Sequence, residues 1–276
     1  MAKECLVTKY KAESSNNSLL RLNEFIHYVS ISGNTWIKFL VSNTTEDFLV
    51  RKDPDDNDYI ISATEGGTPV DEIQLTKSDG ASFYIYSSVS KEIRLFIGNK
   101  QNIKRLGSDN SAGNSCLNLT KGFKTQSSLY MPKFEALMGR NNTNDVLGSF
   151  DDIKNMVGVK VLYIQINGDS EESISKLSEF VNLEHLELIG NKIVGNISVL
   201  GNIRNLLNFA YGRSKCSGTI ESLIQAFRAN GRTTGSMSGN STNTSNVTFN
   251  GSTGNAKGTV TWTENTITMN GITVNA

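Results

Sequence analysis

The feature that most constrains this chain is a repeat in the pattern of apolar residues from about residue 150 to residue 223. Two stretches, 183–200 and 206–223, superimpose at a shift of about 23 residues, and a shift of about 24 extends the match upstream. Leu183, Leu186, Leu188, Asn191, Ile193, Gly195, Ile197 and Leu200 fall on Leu206, Phe209, Tyr211, Ser214, Cys216, Gly218, Ile220 and Leu223. Such self-similarity predicts a solenoid, in which each unit buries its apolar edge against its neighbours.

The spacing within one unit predicts the path of its backbone. The alternation of Leu186 and Leu188 indicates a short strand with an apolar inner side. Asn191 follows where the strand should bend, and its amide can bind backbone groups there. We expect Gly195 to adopt a conformation that a residue with a Cβ resists. Ile197 then begins the segment that leads the chain back over the core to the next strand.

These positions resemble the leucine-rich repeat, in the variety whose unit continues N-x-I-x-G-x-I…L-G-x-I. The residues that carry the resemblance are Leu183, Leu186, Leu188, Asn191, Ile193, Gly195, Ile197, Leu200, Gly201 and Ile203. The flanking units are degenerate, since Ser214 replaces the Asn and Asp169 stands where an Ile is expected. The resemblance implies a short α/β solenoid, and the alternative is an ordinary α/β segment with chance periodicity.

The pattern of residues 1–97 predicts the first of three domains, an all-β sandwich. Short runs of β-branched and aromatic residues alternate there with turn residues. The predicted strands are Cys5–Tyr10, Glu24–Ile31, Trp36–Val41, Phe48–Arg51, Tyr59–Ser62, Glu72–Leu75, Ser82–Tyr86 and Ile93–Ile97. Ser78-Asp79-Gly80 is one of the predicted turns. We expect Trp36 in the core. The run Phe83-Tyr84-Ile85-Tyr86 should place Phe83 and Ile85 on one face and both tyrosines on the other.

The acidic turn Asp53–Asp58 partly imitates a calcium-binding loop in its early carboxylate spacing. However, Asp58 holds the position of the loop glycine, and Thr64 holds the twelfth position in place of Glu. We therefore favour a solvated acidic turn between strands over a calcium site.

Residues 98–231 predict the second domain, a leucine-rich-repeat-like unit with an irregular start. Turn signals and scattered apolar residues make 98–145 hard to assign, with room for one eroded repeat. Pro132 fits the opening of a short helix over the residues that follow it. A clearer helix begins at Ile220, where apolar residues return at helical spacing, with Thr219 as its N-cap and Gly231 as its stop.

Residues 232–276 predict the third domain, a β tail or cap rich in Ser, Thr, Asn and Gly. We expect a flexible tract at about Gly235–Ser245 and then a small meander, with hairpin turns at Glu264-Asn265 and Asn270-Gly271. Its alternating apolar pairs are Val247 and Phe249, Val260 and Trp262, Ile267 and Met269, and Ile272 and Val274. So short a segment rarely supports its own core. We therefore expect it to cap the solenoid, with assembly onto another copy or a neighbouring protein as the alternative.

The composition gives no sign of catalysis or of strongly charged partners. The chain has 276 residues, a formal net charge of zero and three Cys. We predict no nucleic-acid partner, no disulfide, and Cys216 as a small buried hydrophobe. We find no signal peptide and no segment long enough to span a membrane. Because known catalytic and nucleotide-binding motifs are absent from the sequence, we predict a non-enzyme without cofactor or metal.

The candidate binding site is the outer face of the predicted repeat strands, because residues between the inward leucines point outward. Across the repeats, Tyr163, Glu187 and Ala210 should form one row. The candidate site residues are Tyr163, Gln165, His185, Glu187, Ile189 and Asn208. Val161 and Gly212 should also face outward. The alternative is that this face is only solvated or packs on another domain.

Two further stretches extend the resemblance to a class of proteins. The opening KECLVTKYKAESSNNSLLRLNEF and the junction FRANGRTTGSMSG, in this domain order, are similar to virion structural proteins of tailed phages of gut Bacteroidetes, the crAss-like phages among them. The resemblance implies a head, tail or fibre component assembled in the host cytoplasm. Its partners would be other virion proteins, further copies of itself, or a host-surface glycan or protein. The alternatives are a leucine-rich-repeat adhesin or glycan-binding module of the bacterial surface, and a carbohydrate-active enzyme.

Overall fold

The computed structural model describes residues 21, 23–43, 45–108, 115–117, 134–139, 149–153, 156, 158–165, 171–239 and 244–276. Within these residues the chain is mostly β, with three sheets and few helices. None of the helices found there is long and apolar enough to cross a membrane.

The first nine described strands belong to the N-terminal part of the chain. They are β1 (Phe25–Ile31), β2 (Ile37–Asn43), β3 (Phe48–Lys52), β4 (Tyr59–Ser62), β5 (Glu72–Leu75), β6 (Ser78–Ser87), β7 (Lys91–Ile97), β8 (Arg105–Ser108) and β9 (Ser115–Leu117). The first seven match the strands predicted between Glu24 and Ile97. The predicted strand Cys5–Tyr10 lies outside the described residues.

Two sheets face each other in this part of the chain. One has the strand order β5-β3-β7-β1-β9, and the other includes β8-β2-β6-β4. Alternate side chains such as Val29 and Phe39 are fully buried between them, which is the pattern of strands with one inner face. The ring of His27 on β1 lies 5.4 Å from that of Phe39 on β2. The hydroxyl of Tyr59 on β4 donates to the carbonyl of Arg94 on β7 at 2.6 Å.

Two local predictions in this region are wrong. Ser78-Asp79-Gly80, predicted as a turn, begins β6, because its first residue pairs with Asn43 across an irregularity in β2. Trp36, predicted in the core, is half-buried, and its ring centroid lies 5.2 Å from that of Tyr86. The adjacent Ile37 takes the inner position, so the alternation of β2 turns Trp36 outward.

One sheet continues from the N-terminal strands into the repeats. β8 pairs antiparallel with β2 on one side and parallel with β10 (Ala136–Gly139) on the other. β10 then pairs parallel with β11 (Val161–Gln165). The ten-stranded sheet thus extends across residue 97, the predicted boundary of the first domain. The helix predicted after Pro132 is wrong for residues 136–139, because backbone pairing on both edges holds this segment as a strand.

The repeat region is a ladder of parallel strands with helical segments between them. Its later strands are β12 (Glu172–Ser173), β13 (His185–Asn196) and β14 (Asn208–Thr219). The described helices are 3-10 turns at Lys100–Asn102, Phe150–Asp152, Ile174–Leu177 and Ile197–Leu200, and the α-helix α1 (Ile220–Ala229). Leu162, Leu186 and Phe209 lie in register on neighbouring strands and are fully buried. This stacking of apolar residues is the arrangement that the self-similarity predicts.

A repeated capping contact begins successive helical segments of the ladder. The side chains of Ser173, Asn196 and Thr219 each accept a hydrogen bond from a backbone N–H in the first turn that follows. Such caps satisfy donors that a first helical turn leaves unpaired. The cap predicted at Thr219 is therefore confirmed. So is the stop at Gly231, whose φ of 88° lies in the left-handed region that commonly ends a helix.

Ser214 holds the backbone at a register shift between β13 and β14. Its hydroxyl donates to the carbonyl of Tyr211 at 2.6 Å and accepts from the N–H of Cys216 at 3.2 Å. Ser214 pairs with Gly190 and not with the predicted Asn191, because β14 carries one extra residue at this shift. The backbone of Asn191 belongs to β13, and its side chain lies outside the described residues.

Replacing Ser214 by alanine should lower the free energy of unfolding by about 1–3 kcal/mol, because two buried backbone groups would lose their partner. Denaturation with urea measures this change. Ser236→Ala is the matched control, since Ser236 is exposed and its loss should cost no more than about 0.5 kcal/mol. Equal stability of the two variants would contradict the role assigned to the Ser214 hydroxyl.

The described residues of the C-terminal tail include five short strands. They are β15 (Gly235–Met237), β16 (Asn246–Thr248), β17 (Val260–Trp262), β18 (Thr266–Met269) and β19 (Ile272–Asn275). β17, β18 and β19 form the predicted antiparallel meander, and β15 extends it at the other edge of β17. Both predicted hairpin turns are present. Asn270 and Gly271 have φ values of 51° and 76°, as a two-residue turn of type I′ requires.

Two predictions for the tail need correction. The start of the tract predicted as flexible forms the strand β15, and the side chain of its Met237 is buried in the core. β16 leaves the meander and pairs parallel with β14, so that it becomes the edge strand of the large sheet. Its Val247 is fully buried. An apolar side chain on this edge strand continues the core of the ladder by one further layer.

The tail covers the open end of the ladder, as the sequence predicts for a cap. The ring of Trp262 stacks on that of Phe227 in α1, with centroids 5.8 Å apart. The hydroxyl of Tyr211 donates to the carbonyl of Ala256 at 3.0 Å. Arg228 of α1 donates to three backbone carbonyls of the tail. Apolar packing and hydrogen bonds therefore both join the tail to the last unit.

Candidate binding face on the continuous sheet

The predicted site residues lie on adjacent parallel strands, where backbone pairing aligns them in rows. The first row is Val161, His185 and Asn208, and the second row is Tyr163, Glu187 and Ala210. The predicted second row is therefore confirmed as a row. In the third, Gln165 pairs with Ile189, which pairs with Arg213. Gly212, predicted to face outward, is buried, because the extra residue in β14 shifts the alternation at this point.

The side chains of this face are partly covered by their neighbours. Tyr163, His185, Glu187, Ile189 and Asn208 are all half-buried, since neighbouring strands stand only about 4.8 Å apart and their side chains flank one another. The side chain of Gln165 lies outside the described residues. Tyr163 and Ile189 therefore expose only part of their side chains on this face. Neither side chain protrudes from it.

One pairing row crosses seven strands and links this face to the N-terminal part of the chain. The row is Ser82, Leu40, Gly107, Met138, Tyr163, Glu187 and Ala210. The neighbouring inner row includes Val41, Leu106, Leu162 and Leu186, which are fully buried. The outer face of the repeats and the outer face of β2 and β6 are therefore the same face of one sheet.

Three aromatic residues on this face were not among the predicted site residues. Tyr84 and Tyr86 on β6 are half-buried here, while Phe83 and Ile85 point into the core as predicted. The ring of Trp36 packs beside Tyr86. The alternation along β6 placed both tyrosines outward, but no pattern in the sequence linked that strand to the repeats. The face therefore extends further than the repeats alone suggest.

The two histidines occupy different environments. His27 is buried against the rings of Phe25 and Phe39, and burial lowers its pKa to about 3. It is therefore uncharged at neutral pH. His185 lies on the outer face. Cys216 is fully buried, as predicted, and burial raises the pKa of its thiol to about 11, so that the thiolate is disfavoured.

The carboxylates of the acidic turn Asp53–Asp58 are engaged by cations of β7. Asp53 pairs with Arg94 at 2.5 Å, and Lys91 pairs with Asp56 at 2.7 Å and with Asp58 at 3.0 Å. The turn is acidic as predicted, but it is not solvated throughout, because Asp53 is buried with its carboxylate on Arg94. Across the described parts of the chain, no group of three or more His, Cys, Asp or Glu is placed to hold a metal ion.

Comparison with known proteins gives little further information. No family model matches the chain, and no curated protein matches it significantly. Among solved structures, the chain is similar to an internalin from Listeria monocytogenes str. 4b F2365, a leucine-rich-repeat protein, with 18% identity and a TM-score of 0.30. The similarity covers 42% of this chain and 30% of the internalin. Such a likeness is too loose to assign a family or a function.

Proposed function

We propose that the protein is a non-enzymatic virion structural protein of a tailed phage, and that it acts through protein–protein contacts. Its proposed architecture is an N-terminal β-sandwich, a short leucine-rich repeat and a C-terminal β cap. The phage assignment rests on the sequence resemblance of the opening stretch and of the junction before the tail. Its partners are other virion proteins or further copies of the same chain, met during assembly in the host cytoplasm.

The observation that carries the binding role is the continuous sheet. Because one pairing row joins seven strands, the outer face is held by a single hydrogen-bonded network. A sheet with a packed core behind it keeps its outward side chains in fixed relative positions. Such a face offers a partner a preorganised surface, which lowers the entropic cost of binding.

The chemistry of the face suits a contact between proteins. Tyr163 and Tyr84 offer aromatic rings with a polar end, and such residues are enriched at protein interfaces. Ile189 adds apolar area, while Glu187 and His185 add polar groups that fix the orientation of a partner. All five are half-buried, so that their side chains are already restrained before binding. A mixed surface of this kind is typical of interfaces between proteins that also exist apart.

The proposal is tested with two phage variants that carry the same charge reversal at different places. Glu187→Lys places a cation in the middle of the face. Glu179→Lys, at an exposed turn after the 3-10 helix Ile174–Leu177, is the matched control. We expect Glu187→Lys to lower the number of copies per particle by about tenfold, and the control to leave it unchanged, because a misplaced charge typically costs an interface a few kcal/mol.

Quantitative mass spectrometry of purified particles measures the copy number, and the melting temperature of each purified variant verifies that it folds. Equal incorporation of two folded variants would show that this face makes no contact in the particle. If neither variant enters particles, the contact is not specific to this face and lies elsewhere on the repeat region.

A further inference from the structure

A groove of about 760 Å³ opens at the corners of successive repeat units, away from the face described above. Its lining comes from the turns that precede β13 and β14 and from the turn that follows α1. The polar side chains that define it are those of Asn182, Asn202, Asn205, Asn230, Arg204 and Arg232. Its volume lies within the range of about 300–1,000 Å³ that is usual for ligand sites.

The described residues that line the groove include two cations and no carboxylate. Arg232 is half-buried, and its guanidinium lies 4.6 Å from the ring centroid of Trp262. It donates to the carbonyls of Leu206 and Ser236 at 2.8 and 2.9 Å. Burial lowers its pKa, and no acidic group offsets that effect. Arg204 is exposed at the same groove. An anion bound here would compensate the charge of Arg232, which has no acidic partner within the described part of the chain.

The amides of the groove supply donors and acceptors beside these cations. Asn182 and Asn205 occupy equivalent corners of consecutive units, one residue before Leu183 and Leu206. The Nδ2 of Asn202 donates to the carbonyl of Ser178. Its Oδ1 is buried and lacks a hydrogen-bond partner within the described chain. The exposed amides of Asn182 and Asn205 are the ones that offer hydrogen-bond donors and acceptors to a ligand in the groove.

We propose that this groove binds an acidic saccharide. The guanidinium groups match the carboxylate of such a sugar, and the amides together with the hydroxyls of Thr233 and Thr234 match its ring hydroxyls. A peptide would instead need apolar anchor pockets, and Val181 is the single large apolar residue in the described lining. This site is separate from the face proposed for assembly, so either proposal can fail without the other.

The test uses the full-length protein and calorimetric titration with oligosaccharides that contain a sugar carboxylate: tetragalacturonate, a hyaluronan tetrasaccharide and sialyllactose. Tetraglutamate and inorganic phosphate are titrated in parallel as other anions. We expect at least one saccharide to bind, and Arg204→Gln to weaken that binding about tenfold, as the loss of one charge-assisted hydrogen bond predicts. Lys77→Gln removes an exposed positive charge between β5 and β6, outside the groove and outside the candidate binding face, and should leave binding unchanged.

Each contrary result identifies what is wrong. Failure of all three saccharides to bind at millimolar concentration overturns the proposal. Equal or tighter binding of tetraglutamate or phosphate overturns the saccharide class. Equal weakening by Arg204→Gln and Lys77→Gln shows a general charge effect and overturns the groove as the site. Melting temperatures of both variants should equal that of the unmodified protein, because Arg204 and Lys77 are both exposed.

Discussion

A chain that ends at Asn230 should lose at least about 3 kcal/mol of its free energy of unfolding, because the last unit of the ladder would be uncovered. Val247, Phe249 and Trp262 of the tail are buried, and β16, which carries Val247, pairs with β14 at this end. Without it, Phe227 loses its stacked ring, and β14 becomes an unpaired edge. Each large apolar side chain contributes about 1.5–3 kcal/mol when it is fully buried. The loss of several such side chains therefore lowers the free energy of unfolding by more than most single substitutions do.

Urea denaturation and analytical ultracentrifugation of the shortened and full-length chains check this result. Capping predicts lower stability with an unchanged oligomeric state. If the tail serves assembly instead, the shortened chain should keep its stability and lose its oligomer or its place in particles. Glu264→Ala, in an exposed hairpin turn of the tail, is the control and should be neutral. A shortened chain as stable as the full one, from a protein that is monomeric and absent from particles, would contradict both.

Replacing Leu186 by alanine should cost about 2–5 kcal/mol, since a fully buried leucine leaves a cavity that the neighbouring strands cannot fill. Leu186 pairs in register with Leu162 on one side and Phe209 on the other. All three side chains are fully buried. The packed layer is thus held on both sides by backbone pairing, and it has little freedom to collapse into the space.

The chain offers a matched control for this substitution. Leu207 is 51% exposed, so Leu207→Ala removes the same atoms from a position that is largely in water. It should change the free energy of unfolding by no more than about 0.5 kcal/mol. Thermal or urea denaturation measures both variants. A loss of only a few tenths of a kcal/mol for Leu186→Ala would contradict the assignment of a repeat at the position where the pattern matches best.

The stacked units could be predicted because their signal is redundant. Leu186 and Leu188 alternate, and Phe209 and Tyr211 repeat that alternation one unit later, so that a single register satisfies both. The meander formed by β17, β18 and β19 was predictable for the same reason, since its apolar residues alternate with Thr and Asn. The placement of Trp36 shows the opposite case. Its size favours burial, but the alternation set by its buried neighbour Ile37 turns it outward.

The junction of the two parts of the chain was not predictable from the sequence. β8 and β10 are joined by backbone hydrogen bonds, which are the same for every residue type except proline. The intervening residues show no apolar period that would reveal the pairing. The groove was also missed, because Asn182 and Asn205 look like ordinary turn residues. The signal that points to it is the recurrence of Asn at one corner of consecutive units, together with Arg204.

The most direct test of the central proposal is the protein composition of purified virions. Density-gradient-purified particles of a phage that encodes this chain should contain it at a fixed number of copies per particle, as measured by quantitative mass spectrometry. That number should stay constant through repeated purification. Absence of the chain from such particles, or its recovery with the outer membrane of a bacterium, would contradict the assignment as a virion structural protein.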